Sequence, residues 1–325
     1  MHYRAGTPLR FGGKGGDLMA NYITVDGGTT HTRLYLVCNL TVSDTVKLAV
    51  GARDGAEALT LELRHGIADL LAKNGLCEQD ILRILASGMI TSEQGLCNLP
   101  HITLPAGKRE LHNSLYETVL PNISTIPWCF VRGVKSVGTS LADFDVMRGE
   151  ETELMGLLSD CEKETLFVLP GSHSKHIQVD EAGRITAFQT MMTGELLAAL
   201  LEHTILKFST SLSHSQTERA SLVRGYEYCH AHGVNEAIFK ARILRNLLNE
   251  SAEGCYGFLL GAVLHDEINA ILRKKAQRIV LAGQKQLREA MALLLRTFTD
   301  REIVCLDDVT VETSTSRGAI RIFEA

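Results

Sequence analysis

Tyr22-Ile23-Thr24-Val25-Asp26-Gly27-Gly28-Thr29-Thr30-His31-Thr32-Arg33 decides how the chain is read. Its first four residues favour a strand, and Arg33-Leu34-Tyr35-Leu36-Val37-Cys38 is a second strand-like run. Two strands joined through a Gly-Gly turn make a hairpin, not the strand–helix unit of a dinucleotide fold. A third strand is expected near residues 45–50. A helix should follow, because Leu59, Leu63, Ile67, Leu70 and Leu71 recur every three to four positions. Residues 81–86 then form a short buried strand ending at Ser87-Gly88.

The second half repeats this logic. Residues 165–169 are a strand ending in Pro170-Gly171-Ser172, and strands 175–179 and 184–189 are joined by the turn Glu181-Ala182-Gly183. A helix is expected from Gly194, capped by Thr193 with Glu195 in its first turn. A long helix over 254–275, a strand over 279–282 ending at Gly283, and a helix over 284–296 complete the set. Strand hairpins followed by helices, present twice, predict a duplicated α/β fold with a ligand cleft between the halves. Residues 1–18 are Gly-rich and basic with no apolar stretch, and read as a leader or alternative start before Met19. The two expected domains are 19–145 and 146–325, with the boundary inside 138–146.

Four constellations carry chemistry. In Asp26-Gly27-Gly28-Thr29-Thr30 with Arg33, glycines let backbone N–H groups turn to an anion, threonines add hydroxyl donors, and an aspartate at a strand end suits Mg²⁺. The plainer alternative is a Gly-rich hairpin turn. Gly171, Ser172, His173 and Ser174, followed by Lys175, form a second such turn and a second phosphate contact. In Arg148-Gly149-Glu150-Glu151-Thr152-Glu153-Leu154-Met155-Gly156-Leu157-Leu158, helical spacing turns Glu150 and Glu151 toward the apolar face and Thr152 and Glu153 away. One of the two acids is expected to be a catalytic base, with Asp26 as the other catalytic group; periodicity does not choose between Glu150 and Glu151. Gly283, at the end of Ile279-Val280-Leu281-Ala282, allows close approach of an adenine or ribose.

Composition narrows the classes. The chain has 325 residues, 45% hydrophobic and 22% charged, with a net charge of −5, an ordinary globular balance with room for two domains. The absence of Lys/Arg-rich runs argues against nucleic-acid or membrane-surface binding, and no apolar run is long enough to span a bilayer. Eight cysteines, none in a C-x-x-C pair, read as buried free thiols of a cytoplasmic protein. His2, His65, His214, His230, His232 and His265 have no partners at ligand-like spacing, whereas His173 and His176 belong to the second loop.

On these residues the chain resembles the 2-dehydro-3-deoxygalactonokinase family of the sugar kinase and actin superfamily. The matching stretches are Val25-Asp26-Gly27-Gly28-Thr29-Thr30 with Arg33, Asp145-Val146-Met147-Arg148-Gly149-Glu150-Glu151-Thr152-Glu153-Leu154, Leu169-Pro170-Gly171-Ser172-His173-Ser174-Lys175 and Met192-Thr193-Gly194-Glu195-Leu196. The resemblance covers 19–325. It implies two RNase H-like (actin/hexokinase-like) domains closing over Mg·ATP and transfer of a phosphoryl group to a 2-keto-3-deoxy sugar acid. It places acceptor contacts at Gly88, Met89, Ser92, Glu93 and Gln94. Ser92-Glu93-Gln94-Gly95-Leu96 departs from the Ser-Arg-Gln-Gly-Trp common in the family, which bears on the acceptor, and His176 stands where Trp is usual. A kinase of another sugar or amino sugar, or a non-catalytic actin-like regulator, is the alternative; a homo-oligomer is compatible with either.

Overall fold

The structure is a computed structural model that describes residues 20–158, 164–210 and 218–325. The expected leader, Cys161, His2 and His214 lie outside these residues. In the first half, β1 (Asn21–Gly27), β2 (Thr32–Cys38) and β3 (Thr41–Leu48) form an antiparallel meander, followed by α1 (Gly55–Lys73) and β4 (Ile81–Gly88). The chain continues through β5 (Ile102–Thr103), α2 (Lys108–Asn113), β6 (Tyr116–Val119), β7 (Pro127–Phe130), β8 (Val134–Ser136), β9 (Asp145–Met147) and α3 (Glu150–Leu157). The second half starts with another meander, β10 (Thr165–Leu169), β11 (Ser174–Val179) and β12 (Ile185–Met191). Helices α4 (Thr193–His203), α5 (Arg219–His232), α6 (Val234–Leu247) and α7 (Ala252–Leu272) follow, then β13 (Arg278–Leu281), α8 (Lys285–Phe298), β14 (Glu302–Cys305), α9 (Asp308–Glu312) and α10 (Ser314–Phe323).

The duplication is explicit in the sheets. The first has the order β3-β2-β1-β4-β7-β6 and the second β12-β11-β10-β13-β14. In each, the meander's first strand pairs in parallel with the next strand, β1 with β4 and β10 with β13. The fold is therefore the expected duplicated RNase H-like α/β architecture. A small sheet, β5-β8-β9, joins the halves, and Asp145 on β9 accepts hydrogen bonds from the backbone and hydroxyl of Thr190 at 2.7 Å.

Strand alternation sets the layers. Ile23 and Val25 face one side of the first sheet and pack with Leu34, Leu36, Leu59, Leu63 and Ile67. Tyr22 faces the other side and packs with Tyr35, Val37 and Leu85, and with Ala319 and Ile320 of α10. In the second sheet, Leu166 and Val168 face α7, while Phe167 and Leu169 face Leu154 and Met155 of α3. Helix α7 is buried nearly all round, which explains its continuous apolar run.

Several expectations shift. The third strand starts at Thr41 rather than 45, because it is an edge strand whose solvated, alternating side chains give no apolar run, and a two-residue turn with positive φ at Asn39 and Leu40 sets its register. Helix α7 spans 252–272 with Ser251 as its cap, its hydroxyl accepting from the Gly254 N–H. Thr193 does not cap α4; Met192 holds that position without a side-chain bond, and the Glu195 N–H donates instead to the Ser172 carbonyl of the preceding turn. Of the seven described cysteines, all unpaired, Cys129, Cys229 and Cys255 are buried but Cys77 is exposed. Most consequential, α10 follows the second sheet in the chain yet lies on the first, with the Thr24 hydroxyl donating to the Ser316 hydroxyl at 2.7 Å.

Helices α3 and α10 cross through paired glycines. A Cβ on Gly318 would collide with the Thr152 carbonyl, and one on Gly156 with the Ser314 carbonyl. Alanine normally stabilises a helix relative to glycine. Gly318→Ala is nevertheless expected to lower the unfolding free energy by about 1–3 kcal/mol, whereas Gly171→Ala, with nothing within 4 Å of its Cβ, should change it by about 0.5 kcal/mol or less. Urea unfolding of both variants checks this; a Gly318→Ala protein as stable as the parent would contradict the crossing.

Candidate active site

Three glycines bring the site together. β1 and β4 end side by side, with Gly27 opposite Gly88. A Cβ on Gly27 would press into Ile90; Gly88, at φ +85°, has no room for one beside the Gly27 carbonyl. Gly149, at φ +117°, precedes α3 and approaches so closely that its Cβ would stand 3.2 Å from the Gly88 Cα. The first turn of α3 therefore rests on the carboxyl ends of two parallel strands, where open α/β sheets bind ligands.

Asp26 and Arg33 are cross-strand partners, with Nη1 of Arg33 3.2 Å from Oδ2 of Asp26. The turn between them spends the N–H of Gly28 on the His31 carbonyl at 2.9 Å. The carbonyls of Gly28 and Thr29 accept from Ala52 and Arg53, which pins the turn. The expected amide donor at Gly28 is thus already engaged; the N–H groups of Thr29 and Thr30 have no acceptor among the described residues. The Thr30 hydroxyl pairs with the His31 ring at 2.9 Å.

The second turn starts where β10 ends. Gly171 donates to the Ser174 hydroxyl at 3.4 Å, and Ser172 and His173 are exposed. The His173 ring meets the Glu195 carboxylate at 2.6 Å. Gly283, at φ +69°, packs on the Pro170 carbonyl, which accepts the Gln284 N–H at 2.7 Å, and the Gly283 carbonyl accepts from Arg288 at 2.9 Å. Gly283 therefore borders the second turn. Lys175, only 5% exposed, reaches Oε1 of Glu150 at 3.1 Å and joins this turn to α3.

The acids of α3 separate clearly. Glu150 keeps 26% of its side-chain surface, and its Oε2 accepts from the Arg148 N–H at 3.0 Å. Glu151 is fully buried, with both oxygens on the Gly149 N–H at 2.9 and 2.8 Å. Thr152 and Glu153 do not point away as expected. Thr152 is buried against Gly318, and Glu153 lies among Asp26, Glu150 and Arg33. The helix is enclosed on two sides, by the second sheet and by α10, so Thr152 is buried, while Glu153 stays partly exposed and turns toward the site instead of bulk solvent.

The segment expected to contact the acceptor is held from α3 as well. The Arg148 guanidinium donates to the Thr91 carbonyl at 2.6 Å, the Thr91 hydroxyl at 2.7 Å and the Leu99 carbonyl at 3.0 Å. Between these anchors, the Ser92 hydroxyl donates to the Met89 carbonyl at 2.7 Å, and Glu93 and Gln94 are exposed. His101, beside Arg148, is pulled down to about 4, by burial first and then by the Arg148 and Lys135 charges.

Charge is unbalanced toward the acids. Burial pushes Asp26 up, with Arg33 opposing and Glu150 adding to the rise. That effect persists although the side chain retains 23% of its surface, since packed protein surrounds it on the remaining sides. Burial pushes Glu151 up to about 8, and it pushes Glu153 up to about 8 with Asp26 and Glu150 contributing. Among the described residues no group of three or more His, Cys, Asp or Glu side chains is arranged to hold a metal by itself. His230 and His265, expected to have no partners at ligand-like spacing, stand with ring nitrogens 3.4 Å apart, and His265 also contacts Asp266 and Asn269, but they belong to no group arranged to hold a metal among the described residues. No helix is long and apolar enough to cross a membrane among the described residues.

Residues 26–321 match the family described as 2-keto-3-deoxy-galactonokinase. The chain belongs to this family. It is 30% identical over 211 residues to a protein of Rhizobium meliloti named "Probable 2-dehydro-3-deoxygalactonokinase DgoK1", covering 63% of this chain and 62% of that one. It is 29% identical over 201 residues to the 2-dehydro-3-deoxygalactonokinase of Escherichia coli, covering 58% and 59%. The matches span about three fifths of the length of these relatives. The crystal structure titled "putative 2-dehydro-3-deoxygalactonokinase protein from Sinorhizobium meliloti" superposes over 94% of this chain and 100% of that one, with a TM-score of 0.73 at 24% identity, and supports the fold.

Sequence reasoning missed Glu153, the reach of Lys175 and the clamp at Arg148. Glu153 was detectable as the residue one turn beyond Glu150; the other two depend on contacts 25 and 57 positions away.

Glu153 makes stability depend on pH. The folded state retains its proton up to about 8, whereas an ordinary carboxyl releases it near 4.5. The folded state thus binds more protons across that window, so stability is undiminished below about 4.5 and falls as pH rises toward about 8. Glu153→Gln should gain on the parent between pH 5 and pH 8.5 by about 1 kcal/mol or more in urea unfolding. A difference that is the same at both pH values would remove Glu153 from this account.

Proposed function

We propose that the chain is an ATP-dependent kinase that phosphorylates a hydroxyl of a 2-keto-3-deoxy sugar acid, with 2-dehydro-3-deoxygalactonate to its 6-phosphate as the substrate to test first. The observation that carries the reading is the convergence of two strand-end turns and an acid cluster on the first turn of α3, in a chain of this family. Residues 19–145 would supply the first turn and the acceptor segment, and 146–325 the second turn and the nucleotide contact at Gly283.

The residues present fit Mg·ATP. The amides of Thr29 and Thr30 and the exposed Ser172 are available to phosphate oxygens, His173 lies beside them with its ring on Glu195, and Gly171 leaves open space beside it. Asp26 offers one carboxylate, so Mg²⁺ would complete its oxygen shell from phosphate and water, as this ion prefers. ATP supplies the phosphoryl group and Mg²⁺ offsets its charge. Glu150 is the base we favour, since its carboxylate is accessible while that of Glu151 is sealed and bonded to Gly149. Glu150 would take the proton as the acceptor oxygen attacks phosphorus and the bond to ADP breaks. Glu151 then fixes the backbone at the start of α3. The unpaired cysteines support a reducing, cytoplasmic setting.

Incubation with ATP, Mg²⁺ and 2-dehydro-3-deoxygalactonate should release ADP and give a phosphorylated acid detectable by mass spectrometry. No ADP and no product with this acid or its stereoisomers would end the proposal. Asp26→Asn should stay folded and lose at least about tenfold in kcat, because an amide is a poor ligand for a hard cation.

The two glutamates should respond differently. Glu150→Gln should lower kcat by about 10²–10⁴-fold. Glu151→Gln should lower thermal stability and leave kcat within about tenfold of the parent. Equal losses of kcat in both variants would reject this division of roles.

A further inference from the structure

Lys175 has no role in the scheme above, yet its placement is specific. It lies on β11, immediately after the second turn, with a side chain 5% exposed. Its ammonium stands 3.1 Å from Oε1 of Glu150 and donates to the His173 carbonyl, within the turn, at 3.3 Å. An ammonium has three donors, and the third has no acceptor among the described residues. Glu150 is occupied at both oxygens, by Lys175 and by the Arg148 N–H. The carboxylate best placed to act as base is therefore restrained by the cation nearest the turn expected to receive phosphates.

Resting on the kinase reading, we infer that Lys175 is a shared cation: it holds Glu150 while the turn is empty and shifts to the phosphates of the nucleotide when they enter, so that nucleotide binding frees Glu150 for the acceptor. The chemistry is a competition between one carboxylate and a polyphosphate of higher charge for one ammonium. A lysine suits this because its charge is compact and its stem can pivot, unlike the fixed fork of arginine. The free third donor and the His173 carbonyl keep the ammonium at the turn in either state. No proton or covalent bond moves in this step.

Linkage is reciprocal, so whatever weakens the hold of Glu150 on Lys175 must strengthen that of the phosphates. Isothermal titration with Mg·ATP, Mg·ADP and adenosine tests this on the full chain. Glu150→Gln is expected to bind ATP about three- to tenfold more tightly even as its turnover falls. Lys175→Met should bind ATP about tenfold or more weakly, ADP less so, and adenosine unchanged, because the loss tracks phosphate charge. Lys175→Arg should recover most of the ATP affinity. Unchanged or weaker ATP binding by Glu150→Gln would overturn the inference, as would equal losses for ATP and adenosine in Lys175→Met, the mark of a merely structural lysine. If Lys175→Met does not fold, Glu150→Gln and Lys175→Arg decide the matter. If the unmodified protein binds no ATP, the kinase reading falls and the shared cation with it; if it binds ATP and Glu150→Gln gains nothing, only the shared cation falls.

Discussion

Everything at the site depends on a backbone contact that tolerates no side chain. Gly149 turns the chain at φ +117° directly against Gly88, which itself sits on the Gly27 carbonyl. Three segments far apart in sequence, ending at positions 27, 88 and 149, are thereby locked within van der Waals reach. Their neighbours are the residues to which the proposed mechanism gives roles: Asp26 before the first glycine, Met89 after the second, Glu150 after the third. A larger residue at any of these positions would move a functional side chain as well as strain the fold, since the glycine is adjacent to it in each case.

Electrostatics act in the opposite sense from packing. Asp26, Glu150, Glu151 and Glu153 crowd the first turn of α3, where Arg33 and Lys175 form ion pairs with them and Arg148 stands close to Glu151. Burial raises the proton affinity of Asp26, Glu151 and Glu153 above that of ordinary carboxyls. Such an arrangement costs stability in the free protein, and the cost is relieved by added positive charge or by protons. A site that binds a metal–polyphosphate complex has reason to be built this way, with acids for the cation and, each paired to one of them in the free protein, a lysine and an arginine for the phosphates. Replacing these acids by apolar groups would yield a quieter core and, on the proposed reading, remove the capacity for that ligand.

Most of the architecture was legible because it is local. The β-branched run in Tyr22-Ile23-Thr24-Val25, the glycine turn after it and the three- to four-residue spacing of Leu59, Leu63 and Ile67 each report a short-range constraint, and each element formed where expected. Polar edge strands were harder: β3 gives no apolar run, so its start was placed four residues late. The orientation of α3 illustrates a deeper limit. Periodicity places Glu150 and Glu151 relative to Leu154 and Met155, but it assumes one buried face. Here the second sheet takes one side and α10 another, so Thr152 is enclosed, Glu153 faces the other acids of the site, and the distinction between the neighbouring acids comes from the Gly149 N–H, a partner that no helical wheel includes. The clamp from Arg148 to Thr91 and Leu99 is equally non-local, and only the folded chain reveals it.

Helix α10 covers a surface made almost three hundred residues earlier, with Thr24 bonded to Ser316 across 292 positions. During synthesis, the face formed by Tyr22, Tyr35, Val37 and Leu85 has no cover until Ser314–Phe323 emerges from the ribosome. At roughly 5–20 residues per second, that interval is on the order of 10–50 s. The first sheet must therefore wait, either half-assembled or shielded by other proteins, for a helix that the second half of the chain precedes. The halves repeat one another in topology, yet they cannot mature as independent units: the earlier one is finished by the later.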